Sequence, residues 1–378
     1  MRKQQIKDIF KGPAGASQGV RSDNLISKMA KKRVTIREIA KVAKVTHSTV
    51  SRALNNSPLV KPETAERIRN IAELMGYRPN RIARSLKQGN TNTIGLVIPD
   101  ISNPFFSIIA YSVEKKAKEL GYHVILVNTN RNLDNEANHI AFLCERMVDG
   151  LIICPASYGS AKHLKYFKDE IPLVLLASNI PDLDVDYVMS DDVQGAYLAT
   201  IHLIDLGHRR IAHISDPPNT SSFDTRIAGY RKALLERGID EELIVPGEAS
   251  IESGYKAAKE LFKLPDPPTA IFAANDLTAI GVLASAKEMG VLIPEELALV
   301  GYDDIEIVQY LEPPLTTVAQ DKFELGRQAM ETLYYKLRSK RDEIHRVVIQ
   351  PTLVVRKSSG GISKSTLSRS IRIGSAHN

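Results

Sequence analysis

Asp100, Ser102, Asn103, Phe105 and Phe106 come directly after an apolar run at 94–98, Asn275 and Asp276 after another at 270–274, and Asp303 after a third that begins at Leu297. Arg226 stands in a stretch at 224–230 that reads as the opening of a helix, and Gln320 ends Thr316-Thr317-Val318-Ala319-Gln320. Ligands of parallel α/β sheets sit at the carboxyl ends of the strands, which makes these the positions to inspect. Aromatic faces beside carboxylates, amides and one guanidinium suit a polyhydroxylated ring: its apolar face stacks, and paired donors and acceptors take its hydroxyls. Some of these residues have a second reading. One of the two phenylalanines is expected in plain core, Asp276 reads also as a helix N-cap, and Gln320 reads also as a support for strands crossing between subdomains.

Catalytic constellations are not found. The first run leads into Asp100-Ile101-Ser102-Asn103-Pro104-Phe105-Phe106 rather than GxGxxG, so no glycines let a backbone approach a pyrophosphate. There is no Ser/His/Asp order, nucleophile elbow or HExxH, and His123, His139, His202, His208 and His213 lack metal-ligand spacing. No catalytic residue, metal or cofactor is therefore expected. Asp191-Asp192 and Asp303-Asp304 could serve as acid and base, but helix caps and ligand acceptors are the simpler roles. Cys144 and Cys154 form no CxxC pair and are read as reduced and buried.

The elements that must position these groups follow from periodicity. Apolar runs at 94–98, 124–127, 151–154, 173–176, 211–214, 270–274 and 297–300 alternate with amphipathic stretches, the pattern of parallel strands covered on both faces by helices. About 260 residues of it suit two doubly wound parallel-sheet subdomains with a cleft between them. Ahead of this α/β body, Thr35 and Glu38 form a capping box before Ile36, Ile39, Ala40 and Ala43. Thr46 caps a second short helix with Val50, Ala53 and Leu54 on one face; Pro62 opens a third, with Ile68, Ile71, Ala72 and Met75, stopped by Gly76. These three helices make a small separate core. Residues 1–32 are read as a disordered extension, 33–78 as the three-helix head, 79–92 as a short helix and linker, 93–356 as the body, and 357–378 as a disordered tail.

Charge divides along the same lines. Residues 31–90 carry 14 Lys or Arg against 4 Asp or Glu, whereas 91–356 carry about −12 by difference from the total of +6. Such a head suits a polyanion and such a body would be repelled by one. No apolar run is long enough to span a bilayer and the N-terminus lacks the apolar core of a signal peptide, so no membrane partner and a cytoplasmic location are expected.

The segment Val34-Thr35-Ile36-Arg37-Glu38-Ile39-Ala40 through Thr46-His47-Ser48-Thr49-Val50-Ser51-Arg52-Ala53-Leu54-Asn55 resembles the head of the lactose/galactose repressor family. Pro79-Asn80-Arg81-Ile82-Ala83-Arg84-Ser85-Leu86 and Ile98-Pro99-Asp100-Ile101-Ser102-Asn103-Pro104 continue the resemblance, which runs to about Val355. It implies a helix-turn-helix head on a periplasmic-binding-protein-like body, working as a transcriptional regulator, most readily a repressor of carbohydrate or related metabolite genes. In a helix-turn-helix the second helix enters the major groove, so His47 and Ser48 would meet base edges, with Arg52 one turn on and able to make a bidentate contact to guanine. Thr46, Thr49 and Ser51 would contact phosphates or cap the helix, and Thr35 and Asn55 complete the expected DNA-facing set.

By the same resemblance, Asn80, Arg81, Ala83, Arg84 and Leu86 belong to a hinge helix that forms when two subunits share an operator, Leu86 being wedged into a minor-groove step. A homodimer on palindromic DNA, controlled by a sugar or sugar derivative, is thus expected; effector identity and the sign of its action stay open. Lys44 and Lys61 depart from the family's usual Gly and Ser, and the turn is expected not to need a left-handed residue. Ala177-Ser178 and Ala249 stand where sugar-binding members often carry an Asp or Asp-Arg pair and an aromatic, which implies a larger, phosphorylated or nucleoside-like effector. After a nicotinamide-dependent or other α/β enzyme, the second rival, a free solute-binding protein for transport, would need a signal peptide and no basic head.

Overall fold

The computed structural model describes residues 34–77, 90–338 and 343–360, in two compact units that divide after Gly89. Within the first unit lie α1 (Ile36–Ala43), α2 (His47–Leu54) and α3 (Pro62–Leu74). The Thr35–Glu38 capping box is formed in both directions, and Pro62 occupies the first turn of α3. Ile39, Ala43, Val50, Ala53 and Ile68 bury the faces predicted from their spacing, with Leu54, Ile71 and Met75 packed partly exposed against them. Lys44 corrects one expectation: it ends α1 in a left-handed conformation, φ 53° and ψ 44°, so that its N–H and that of Val45 both reach the Ala40 carbonyl. Lys61, as its missing hydroxyl implies, caps α3 with no side-chain bond.

The second unit consists of two lobes, each a six-stranded sheet between two helical layers. The first lobe takes β1 (Thr93–Ile98), α4 (Pro104–Glu119), β2 (His123–Asn128), α5 (Leu133–Glu145), β3 (Gly150–Ile153), α6 (Ala161–Phe167), β4 (Leu173–Leu176) and β5 (Asp186–Ser190). The chain then passes to the second lobe: α7 (Asp192–Asp205), β6 (Ile211–Ser215), α8 (Ser221–Glu236), β7 (Leu243–Pro246), α9 (Ile251–Leu261), β8 (Ala270–Ala273), α10 (Asp276–Met289), β9 (Ala298–Asp303) and β10 (Thr316–Ala319). It returns as α11 (Lys322–Arg338) and β11 (Arg346–Ile349), and crosses once more to β12 (Thr352–Val354). Strand orders are β11-β5-β4-β3-β1-β2 and β12-β10-β9-β8-β6-β7, parallel throughout except for β12.

Near-continuous apolar strands are what a sheet covered on both faces demands, and β3, β4 and β8 are buried at every position. In the first lobe, Ile109 and Val113 of α4 and Leu325, Met330 and Leu333 of α11 pack on one face, Ile140, Leu143, Leu164 and Phe167 on the other. The sequence reading missed β5, β7, β10, β11 and β12, which are short, mixed in polarity or at sheet edges. It also placed 357–378 in a disordered tail, yet Lys357–Ser359 forms a 3-10 turn with Ser358 and Ser359 buried. The Ser358 hydroxyl donates to the Leu299 carbonyl and accepts from the Thr316 N–H, so four residues of that tail belong to the second lobe. Cys154 is buried as expected, while Cys144 is only half-buried; both are free thiols.

Candidate functional site

On the head, α2 presents His47, Ser48 and Arg52 to solvent. The Thr46 hydroxyl accepts from the Thr49 N–H and lies 2.8 Å from both the Ser48 and Thr49 hydroxyls, which fixes the first turn. Asn55 donates to the Ser51 carbonyl at 2.8 Å and closes the other end. Thr35, Thr46 and Asn55 therefore hold the helix ends, while His47 and Arg52, with no ion pair among the described residues, stay available to an outside partner. The hinge residues Asn80, Arg81, Ala83, Arg84 and Leu86 lie outside the described residues.

Between the lobes of the second unit is a solvent-open cleft, about 670 Å³ with the solvent space at its mouth included. Of the ten residues expected there, Asn103, Phe105, Phe106, Arg226, Asn275, Asp303 and Gln320 line it. Phe105 belongs to the first lobe's core and Phe106 packs edge-on against it at 5.1 Å, so the two phenylalanines divide between core and cleft wall. Asp100, Ser102 and Asp276 do not line the cleft. Asp100 turns back to accept from the Ser102 N–H at 2.9 Å and hydroxyl at 2.6 Å, closing a local turn. Asp276 points beneath β9 and β10, accepting from the Ile305 N–H at 2.8 Å and the Thr317 hydroxyl at 2.6 Å. The cap of α10 is Asn275, whose side chain accepts from the Thr278 N–H and donates to the Ala249 carbonyl.

Arg226 is the electrostatic centre of the second lobe's wall. It lies on α8, which begins three residues earlier than the sequence suggested because Thr220 caps it. The guanidinium, buried, meets Asp216 at 3.0 Å, Asp192 at 3.5 Å and the Ala274 carbonyl, and stacks 3.9 Å over the Tyr302 ring. Burial works against this cation, but Asp192 and Asp216 outweigh it and raise its pKa. The Tyr302 hydroxyl donates to Asp192 at 2.9 Å, an approach open only because α7 carries Gly195 there. Asp303 has φ 103°, an expensive conformation for a residue with a Cβ. Gln320 donates to its carboxylate at 2.7 Å, and the buried Lys322 ammonium donates to the carbonyls of Asp303, Asp304 and Gln320.

Burial pushes the Asp303 carboxyl up to about 7, against the pull of Arg226, Lys322 and Gln320. Because the folded value lies above the unfolded one, the stability it contributes is complete below the unfolded value and is lost as pH rises through about 7. Against Asp303→Asn, the wild type's stability advantage should shrink by roughly 3 kcal/mol between pH 5 and pH 8 in urea unfolding. Parallel curves for the two proteins would contradict the burial of an ionisable group at this point.

The sequence reading missed Arg131, Asp216, the turn at 154–157, Leu176 and Thr220, Ser221 and Ser222, all of which line the cleft, as do Ala177 and Ser178, singled out for their departure from the family's pattern. Their signal was present: Arg131, Asp216 and Ala156 each follow an apolar run just as Asp100 and Asp303 do. Hydrogen bonds also cross the cleft directly. The Tyr158 N–H donates to the Asn219 carbonyl at 2.8 Å, and the Ser221 hydroxyl donates to Asn179 at 2.9 Å. No helix among the described residues is long and apolar enough to cross a membrane.

Residues 35–80 match the family model described as bacterial regulatory proteins, lacI family, and residues 91–357 match periplasmic binding proteins and sugar binding domain of LacI family. The chain is similar to the HTH-type transcriptional regulator DegA of Bacillus subtilis, 37% identical over 336 residues, 88% of this chain and 99% of that protein. Among solved structures it resembles the lac repressor dimer bound to operator and the anti-inducer ONPF, with a TM-score of 0.80 at 27% identity over 87% of this chain and 99% of that one. A complex of the transcriptional regulator CelR with cellobiose is similar at a TM-score of 0.66 and 31% identity, over 86% and 100%. Two family models that together span nearly all the described residues, laid over a helix-turn-helix head and a two-lobed α/β body, leave one assignment: the chain belongs to the LacI family of DNA-binding transcriptional regulators.

Proposed function

We propose that the protein represses genes of carbohydrate or related metabolism as a homodimer on a roughly palindromic operator, and that a polyhydroxylated ligand bound between the lobes sets its affinity for that operator. The supporting observation is the cleft itself, where Asp216, Arg226, Asn275, Asp303 and Gln320 of one lobe face Asn103, Phe106 and Arg131 of the other. A ligand touching both walls has different contacts when the lobes change their separation, and only such differential contact can shift a conformational equilibrium. In this reading His47, Ser48 and Arg52 read bases, while Thr46, Thr49, Ser51, Thr35 and Asn55 set the register of the helix. Two heads on one duplex follow from the pairing of identical subunits about a two-fold axis.

The test is selection of a binding site from random duplexes with the full chain, followed by titration against the selected site with and without candidate metabolites. A palindromic consensus bound at least about 10³-fold more tightly than random DNA is expected. One metabolite should alter that affinity by about 5–150-fold. Arg52→Ala should cost about 1–3 kcal/mol and relax the consensus at one position per half-site. Absence of any duplex preference, with every metabolite tried, would sink the proposal.

A further inference from the structure

The two walls of the cleft differ in charge. The second lobe offers acceptors: Asp216 and Asp303 line it, and its one cation, Arg226, is already held by Asp192, Asp216 and a carbonyl. The first lobe's lining residues include no carboxylate, and their single charged side chain is Arg131. Unlike Arg226, the Arg131 guanidinium has no hydrogen bond or ion pair among the described residues. Glu136, a buried carboxylate of α5 near this wall, is committed to His163 and the Ala156 N–H, each at 2.7 Å. Ala177 and Ser178, which also line the wall, add no charge.

The backbone at Arg131 is held in place at a cost. Asn130 and Arg131 both adopt left-handed conformations, φ 54° and 56°, which non-glycine residues take only when their surroundings impose them. Three hydrogen bonds do so: the Arg131 N–H donates to the Pro99 carbonyl at 3.1 Å, the Asn128 amide to Asn130 at 2.6 Å, and the Ile101 N–H to Asn128 at 2.9 Å. The turn after β2 is thus fixed against the turn after β1, with a free cation at the cleft. An uncharged ligand would desolvate that cation without giving it a partner, which is unfavourable. A carboxylate or phosphate would supply the charge-assisted hydrogen bonds for which a guanidinium is shaped.

We propose that the ligand is a polyhydroxylated anion, a sugar bearing a carboxylate or a phosphate, with its acidic group received by Arg131 and its hydroxyls by Asp216, Asp303 and Gln320. This rests on the cleft being the effector site. The experiment is calorimetric titration and thermal shift of the full chain with gluconate, glucuronate, glucose 6-phosphate and ribose 5-phosphate, beside glucose, ribose and inorganic phosphate. At least one acidic sugar should bind while its neutral counterpart and inorganic phosphate do not, and the carboxylate and phosphate arms say which acid is read. Arg131→Gln should weaken that binding at least tenfold, Arg131→Lys should weaken it less because the charge alone is kept, and Asp303→Asn should weaken it through the hydroxyls. Comparable melting temperatures of the ligand-free variants establish that each is folded. A neutral sugar that binds wild type and Arg131→Gln equally overturns the charge assignment and leaves the effector site standing. Failure of every compound to bind overturns both.

Discussion

Arg226→Met is expected to cost about 3–5 kcal/mol, because it removes the cation from among buried carboxylates and leaves them uncompensated. Asp192 and Asp216 lie 3.5 and 3.0 Å from the guanidinium, and burial already raises the Asp192 carboxyl against the opposing pull of Arg226 and Tyr302. Without Arg226 the folded-state pKa of Asp192 rises further above its unfolded value. The variant then takes up protons on folding, and its deficit should narrow as pH falls from 8 toward 5. Urea unfolding at the two ends of that range measures the effect. Asp216→Asn on top of Arg226→Met should recover part of the loss, since the pair shares one network. A deficit below 1 kcal/mol at pH 8 would mean that the carboxylates find water or other donors, and that the centre of the wall is wrongly described.

Gly281→Val should be comparably damaging for a steric reason. A Cβ on Gly281 of α10 would run into the Ile251 carbonyl and come within 2.5 Å of the Tyr255 nitrogen on α9, and a Cβ on Gly254 of α9 would strike the Thr278 carbonyl. The two helices meet backbone to backbone over these glycines, and neither contact is the movable end of a side chain. Inserting one methyl into a packed core typically costs about 1–3 kcal/mol, and a branched side chain against rigid backbone belongs at or beyond the top of that range. Gly281→Ala should lie between wild type and valine. Thermal unfolding of the series ranks them; an alanine variant as stable as wild type would show that α9 can slide aside.

Much of the fold could be read from local pattern because local pattern is what forms it. Each of the seven apolar runs became a strand or most of one, and the caps at Thr35 and Thr46 and the proline at 62 opened the three head helices. The short edge strands β7, β11 and β12 carried no such pattern, since each needs the neighbouring strand to become one. The cleft was legible in part. Looking past strand ends located Asn103, Phe106, Asn275 and Asp303, but applied evenly it would have added Arg131 and Asp216. It also overreached, because position after a strand does not say which way a side chain turns: Asp100 satisfied its own loop and Asp276 faced the sheet below. The Tyr302–Asp192–Arg226 stack, joining residues 34 and 110 positions apart, had no sequence signal beyond Gly195.

The three passages between lobes have a consequence for how the chain is made. Neither lobe is continuous: the first needs α11 and β11 to complete its sheet and core, and the second needs β12 and the buried serines at 358 and 359. A ribosome that has delivered only the first 320 residues has released a head whose helices pack on one another, ahead of a two-lobed unit still lacking Leu325, Met330 and Leu333 from its core. Domains fold as units while synthesis proceeds. Completion of the two-lobed unit therefore waits on residues 321–360, about 2–8 seconds of translation at 5–20 residues per second.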